Sequence, residues 1–311
     1  MSPLISVSNL SKYYKDIKAV DDISITVNKG DVYGFLGQNG AGKSTTIRML
    51  LSLIQPTEGT IEIFGMDLRK HRSEILRQVG AVIERPDLYK YLTALENLQL
   101  FAKLSGMKLS KQTLLDQLAR VGLQERANSK VHTFSQGMKQ RLGIAVALVH
   151  NPQLVILDEP TNGLDPQGIA DIRQLILRLS REEGKTVVVS SHLLNEIEMT
   201  ANRMIIINKG KKIVEGALRD LFDSSKMLIE LRVANPEHSL QQLQASPWNT
   251  YLQHHHDDVI SLQMNVKEIP QLTADLVQMG AAVLGIQPRH SLEAYFLSLT
   301  TSNPHVDHPA N

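Results

Sequence analysis

Two short runs restrict the possible folds of this chain more than any other feature. Leu154-Val155-Ile156-Leu157 and Val187-Val188-Val189 are apolar at every position rather than at alternate ones. A strand with one wet face alternates, so a strand apolar throughout needs cover on both faces, as in the centre of a mostly parallel sheet. Parallel neighbours require a long crossover. Residues 166–180 supply it, with Ile169, Ile172, Leu175, Ile176 and Leu179 at helical spacing. Further strand candidates at 32–36 and 81–83 make the chain up to about Leu221 an α/β layer fold. Residues 22–27 and 60–64 alternate or end in turns, which predicts an antiparallel β appendage. Beyond Ser225 the patterns run β-α-β-β-α-β and then a helix over 292–299, a small α+β ferredoxin-like arrangement. The expected organisation is a first domain over 1–222, an accessory domain over 226–300 and a disordered polar tail over 301–311.

The 311 residues have 42% hydrophobic and 21% charged content, which excludes collagen-like, disordered and disulfide-scaffold classes. Lys plus Arg number 33 against 32 for Asp plus Glu, so the net charge of +1 offers no field for a polyanion, and no nucleic-acid partner is expected. With no cysteine, thiolate metal sites and disulfides are excluded, which fits a reducing compartment. The N-terminal residues lack the pattern of a signal peptide, and no apolar run approaches the ~18 residues of a spanning helix. Work at a membrane therefore needs a partner.

Gly37-Gln38-Asn39-Gly40-Ala41-Gly42-Lys43-Ser44 fits G-x-x-x-x-G-K-[ST] between a strand and a helical run beginning near Thr45. Glycines let successive N–H groups point inward around phosphates, and the following helix adds its positive end. Lys43 then reaches the β- and γ-phosphates, and Ser44 ligates Mg²⁺. Asp158-Glu159 closes the first apolar strand, at the sheet edge where ligands bind in open α/β folds. Asp158 is read as part of the Mg²⁺ shell and Glu159 as a general base for an attacking water. Read alone, the pair is also a carboxylate turn ahead of Pro160.

Phe134-Ser135-Gln136-Gly137-Met138-Lys139-Gln140-Arg141-Leu142 resembles the signature motif of the ABC ATPases, Leu-Ser-Gly-Gly-Gln, and precedes the acidic strand as it does there. Of the five residues only Ser135 and Gly137 are kept, which preserves the hydroxyl and the bare backbone at a helix start. The resemblance continues in order with Gly163-Leu164-Asp165 as the D-loop and His192 as the switch histidine facing γ-phosphate. Singly these are weak: Asp165 before Pro166 is equally a helix N-cap. Tyr14 matches the aromatic that stacks on adenine. Where the family has a glutamine sensing Mg²⁺ and touching the membrane subunit, this chain has Glu84. That glutamate, with residues 138–142 and 291–296, is similar to the ATPases of bacitracin and lantibiotic export or immunity systems.

The resemblance implies a P-loop NTPase fold with a Walker A loop, a helical subdomain and ATP with Mg²⁺ as cofactors. It further implies a homodimer in which Ser135 of one copy completes the nucleotide site of the other. A polytopic permease at the cytoplasmic side of the cell membrane would be the partner, and a peptide antibiotic or other small amphiphile the cargo. The rival reading is a soluble ABC-type ATPase acting on ribosomes or DNA. Against it, the interval from Lys43 to Ser135 has no room for long coiled coils, and the chain carries one set of motifs rather than two. His254-His255-His256-Asp257-Asp258 suggests metal binding, but neighbours along a strand point to opposite faces and Asp257-Asp258 falls where a turn is wanted.

Overall fold

The structure is a computed structural model that describes residues 3–221, 227–256 and 259–289. It divides into two compact units, 1–217 and 218–311. The expected helix at 292–299, the segment 291–296 and the tail 301–311 lie outside the described residues. So do Asp257 and Asp258 and the side chains of His254, His255 and His256.

The first unit opens with β1 (Pro3–Tyr14), β2 (Ile17–Asn28) and β3 (Val32–Leu36), then α1 (Lys43–Leu50), β4 (Glu58–Ile63) and β5 (Met66–Asp67). It continues through α2 (Arg72–Leu76) and β6 (Val79–Val82) into three helices, α3 (Ala94–Leu104), α4 (Lys111–Arg120) and α5 (Gln136–Ala147). It closes with β7 (Leu154–Leu157), α6 (Pro166–Arg181), β8 (Thr186–Ser191), α7 (Leu194–Thr200), β9 (Arg203–Asn208) and β10 (Lys211–Ala217).

A six-stranded sheet in the order β10-β9-β3-β8-β7-β6 holds the apolar runs at its centre, parallel except for the β9–β10 pair. Every residue of β3, β7 and β8 is buried, as the absence of alternation requires. The antiparallel sheet has the order β2-β1-β4-β5. Its long strand β1 carries no period-2 pattern because bulges break its register with β2 and β4. One core joins Ile5, Val7 and Ile25 of that sheet to Ile47 and Leu50 of α1 and to Tyr33, Phe35 and Ile156 of the parallel sheet. On the other face of β3, Gly34 admits α7 so closely that a Cβ there would lie 2.5 Å from Ile197.

Local chemistry starts the helices. Thr93 and Glu96 form a reciprocal capping box on α3, and Ser110 caps α4. The α5 helix starts at Gln136 behind Ser135, and α1 begins at Lys43, two residues ahead of the expected start at Thr45.

The second unit holds α8 (Leu218–Leu221), β11 (Met227–Val233), α9 (Pro236–Gln244), β12 (Leu252–His256), β13 (Val259–Met264), α10 (Ile269–Gln278) and β14 (Val283–Arg289). From β11 onward the order is β-α-β-β-α-β, and the sheet β12-β13-β11-β14 is antiparallel throughout, the ferredoxin-like arrangement. Alternate residues of β11 enter its own core with Leu243, Trp248, Leu272 and Leu276. The indole N–H of Trp248 donates to Asp275 Oδ2 at 2.9 Å, which satisfies the polar end of a buried ring.

Candidate nucleotide site

Strand register carries the chemistry to one edge. Leu36 at the end of β3 pairs with Ser191, and Leu157 at the end of β7 pairs with Val189. The chain therefore leaves the sheet at Gly37, Asp158 and His192 along the same carboxyl edge, where α/β sheets bind ligands.

Two glycines there are obligatory. Gly42, the N-cap of α1, has φ +106°, and a Cβ on it would lie 2.6 Å from the carbonyl oxygen of Ala19. A Cβ on Gly37 would lie 2.4 Å from the carbonyl oxygen of Ile207. Gly37 and Ala41 are buried beneath the loop. Gln38, Asn39, Gly40, Gly42, Lys43, Ser44 and Thr45 line a cleft of about 570 Å³, within the range of small-molecule sites.

Lys43 is buried, and its Nζ donates to the carbonyl oxygens of Gly37 at 2.7 Å and Gln38 at 3.2 Å. The same ammonium lies 3.0 Å from Glu159 Oε1, while Glu159 Oε2 lies 2.8 Å from His192 Nδ1. One carboxylate thus joins the phosphate loop to the end of β8. Glu159 adopts φ +47°, a left-handed conformation uncommon outside glycine, and its N–H donates to Ser190 Oγ at 2.8 Å.

Asp158 is fully buried. Ser190 Oγ donates to its Oδ1 at 2.5 Å, whereas Oδ2 has no hydrogen-bond partner among the described residues. A buried carboxylate oxygen without a partner is costly, and an oxygen donor of that kind suits a hard divalent cation such as Mg²⁺; Ser44 lines the cleft.

Glu84 lines the cleft with φ +54°, and its Oε1 accepts from Arg48 Nη2 at 2.5 Å. Both side chains of that pair are largely exposed. Other expected residues stand outside the cleft. Ser135 is exposed and its Oγ accepts from Met138 N at 3.2 Å, so it caps α5 whatever else it contacts. Gly137 follows in the first turn of α5. Asp165 Oδ1 accepts from Gly168 N at 3.2 Å, which makes it the cap of α6. Tyr14 is exposed at the end of β1, with Lys12 Nζ 5.1 Å from its ring centroid.

Sequence reasoning missed several cleft residues: Ala19, Arg85, Gln136, Gln140 and Asn162. It also missed Ser190. The signal was available there, since Ser190-Ser191 ends an otherwise apolar strand with two buried hydroxyls.

Comparison with known proteins decides the family. The model for "ABC transporter" matches residues 20–162. The bacitracin transport ATP-binding protein BcrA of Bacillus licheniformis is 43% identical over 301 residues, covering 96% of this chain and 98% of that protein. The chain belongs to the ABC transporter family. Within it the chain is an ATP-binding, ATP-hydrolysing subunit, an α/β P-loop NTPase. The lantibiotic transport ATP-binding protein SrtF of Streptococcus pyogenes is 41% identical over 228 residues, 73% of this chain and 95% of its own. A dimeric structure of a post-hydrolysis state of the ATP-binding cassette MJ0796, bound to ADP and Pi, superposes with TM-score 0.64. It shares 31% identity and covers 69% of this chain and 99% of its own. Among the described residues no helix is long and apolar enough to cross a membrane.

Proposed function

We propose that this chain hydrolyses Mg-ATP as a homodimer at the cytoplasmic side of the cell membrane and drives a separate polytopic permease that exports a peptide antibiotic or a similar small amphiphile. The observation that carries the catalytic part is the run Lys43–Glu159–His192, whose two contacts of 3.0 and 2.8 Å place a carboxylate over the phosphate loop. Names of relatives at 43% and 41% identity support the cargo class, and the dimeric cassette MJ0796 supports the pairing of two copies.

In this reading the N–H groups from Gly37 to Thr45 surround the β- and γ-phosphates, and Lys43 exchanges Glu159 for phosphate oxygens. Ser44 and Asp158 would hold Mg²⁺, and Glu84 would accept a hydrogen bond from water beside it. The cation, when bound, offsets the charge that builds on the phosphate oxygens. Glu159 accepts a proton as water attacks the γ-phosphorus and the bond to the bridging oxygen breaks, leaving ADP and phosphate. His192 orients that carboxylate and reaches the γ-phosphate. Tyr14 meets the adenine, and Ser135, Gly137 and Asp165 serve the site of the second copy.

Glu159→Gln tests the assignment. Nucleotide binding is expected to persist while turnover falls about 10²–10⁴-fold, the usual worth of a positioned base. Near-normal turnover would remove Glu159 from the mechanism.

A further inference from the structure

Glu196, on α7, belongs to none of the motifs described above, yet it is nine-tenths buried, with 9% of its surface exposed. Its Oε2 accepts two hydrogen bonds at 2.7 Å, one from Thr161 Oγ1 and one from Ser191 Oγ. Thr161 stands two residues beyond Glu159, and Ser191 immediately precedes His192. A single carboxylate oxygen therefore holds together the two loops that present Glu159 and His192.

Ser191 extends the arrangement. Its Oγ accepts from Leu193 N at 3.0 Å, closing a local turn with His192 at its tip. The hydroxyl proton is committed to Glu196 and a lone pair to Leu193, so the turn keeps one orientation. Glu196 makes no ion pair among the described residues, and a buried carboxylate without a cation is costly unless hydrogen bonds stabilise it. An apolar side chain would fill the same space at less cost but would offer neither hydroxyl an acceptor.

We infer that Glu196 is a positioning residue for hydrolysis: through Thr161 and Ser191 it sets the distance and angle between Glu159 and His192. The inference rests on the roles proposed above for those two residues. The expected consequence is a loss in turnover rather than in nucleotide binding, because among the described residues the side-chain hydrogen bonds that Glu196 accepts come from Thr161, Ser191 and Thr200 and not from the phosphate loop, whereas a displacement of ~1 Å at a reacting group can cost about 10²-fold.

The experiment uses the full chain and Mg-ATP, with steady-state turnover, affinity for a fluorescent ATP analogue and thermal unfolding recorded for each variant. Glu196→Ala is expected to lower kcat about 10–100-fold while nucleotide affinity stays within about threefold. Glu196→Gln is expected to restore most of kcat, since its carbonyl oxygen can accept from both hydroxyls. Thr161→Val is expected to lower kcat by itself and to add little in the Glu196→Ala background, because both changes break one linkage. A kcat within twofold of the parent in Glu196→Ala, a parallel loss of affinity and kcat, or fully additive losses would overturn the inference. If Glu196→Ala does not fold, Glu196→Gln and Thr161→Val decide: the inference stands on a kcat loss in Thr161→Val with affinity kept, and falls if that variant turns over normally. Glu159→Gln run in parallel separates the two levels. Normal turnover there defeats the role of Glu159, whereas slow turnover there with normal Glu196→Ala defeats only the role of Glu196.

Discussion

Pro86 sits against the bare backbone of Gly143: a Cβ on that glycine would lie 2.4 Å from both the Cβ and the Cγ of the proline ring. Gly143 is in the middle of α5, the helix that Ser135 caps, and Pro86 lies two residues beyond Glu84. The loop that carries Glu84 is thereby locked to the helix that carries the signature residues.

The first prediction follows from that contact. Inside a helix Ala is favoured over Gly by about 1 kcal/mol, but overpacking costs typically 1–3 kcal/mol. Gly143→Ala is therefore expected to be neutral to about 2 kcal/mol less stable in urea unfolding. Adding Pro86→Gly, which deletes both clashing ring atoms, should recover stability. No recovery would show that the ring does not resist the added methyl.

If Ser135 acts on the nucleotide of a second copy, a mixture of Lys43→Ala and Ser135→Arg chains contains heterodimers with one intact composite site. Turnover measured across mixing ratios should exceed that of either variant alone and peak near equal proportions. A flat profile would count against the composite site.

Glu84 and Arg48 form an exposed pair, at 61% and 42% side-chain exposure, and such pairs contribute about 0–1 kcal/mol. Glu84→Gln should leave the unfolding midpoint nearly unchanged. With one acceptor oxygen kept and the charge lost, basal turnover should persist while stimulation by the permease falls. Equal loss of basal and stimulated rates would place the charge at the metal rather than in coupling.

His150 gives a pH dependence. Burial, the largest cause, holds its pKa below the ordinary histidine value; the Val79 carbonyl, 3.2 Å from Nε2, opposes this, and the charge of Lys185 adds to it. Nδ1 is buried without a partner among the described residues. Between the folded pKa and the unfolded one near about 6.5 the unfolded chain binds more protons. The contribution of His150 is thus fully present above about pH 6.5 and is lost as pH falls through the folded value. His150→Gln should flatten the fall in urea midpoint between pH 7.5 and pH 5.5. An unchanged slope would assign that fall to other groups.

One capping signal was legible in the chain itself: Asp165 before Pro166 sits at the observed start of α6. Strand β1 was not, because its bulges interrupt the alternation by which strands are read. Among the expected site residues, the loop from Gln38 to Thr45 was legible because its members are neighbours in sequence. Gln140 and Asn162, which were not expected, line the cleft from elements far along the chain, and no local motif marks them.

By itself, the sequence determined the features that depend on local spacing. Apolar runs without alternation demanded a sheet covered on both faces, and the glycine pattern before Lys43 placed an anion-binding turn at a strand end. Tertiary structure alone decided what those residues touch. Lys43, Glu159 and His192 meet because β8 pairs with β3 on one side and β7 on the other in one register. Glu159 and Glu84 hold left-handed backbones, and Glu196 reaches Thr161 and Ser191 from α7. Register, backbone strain and contacts across the sheet are set by the packing of segments far apart in the chain, and no window of neighbouring residues encodes them.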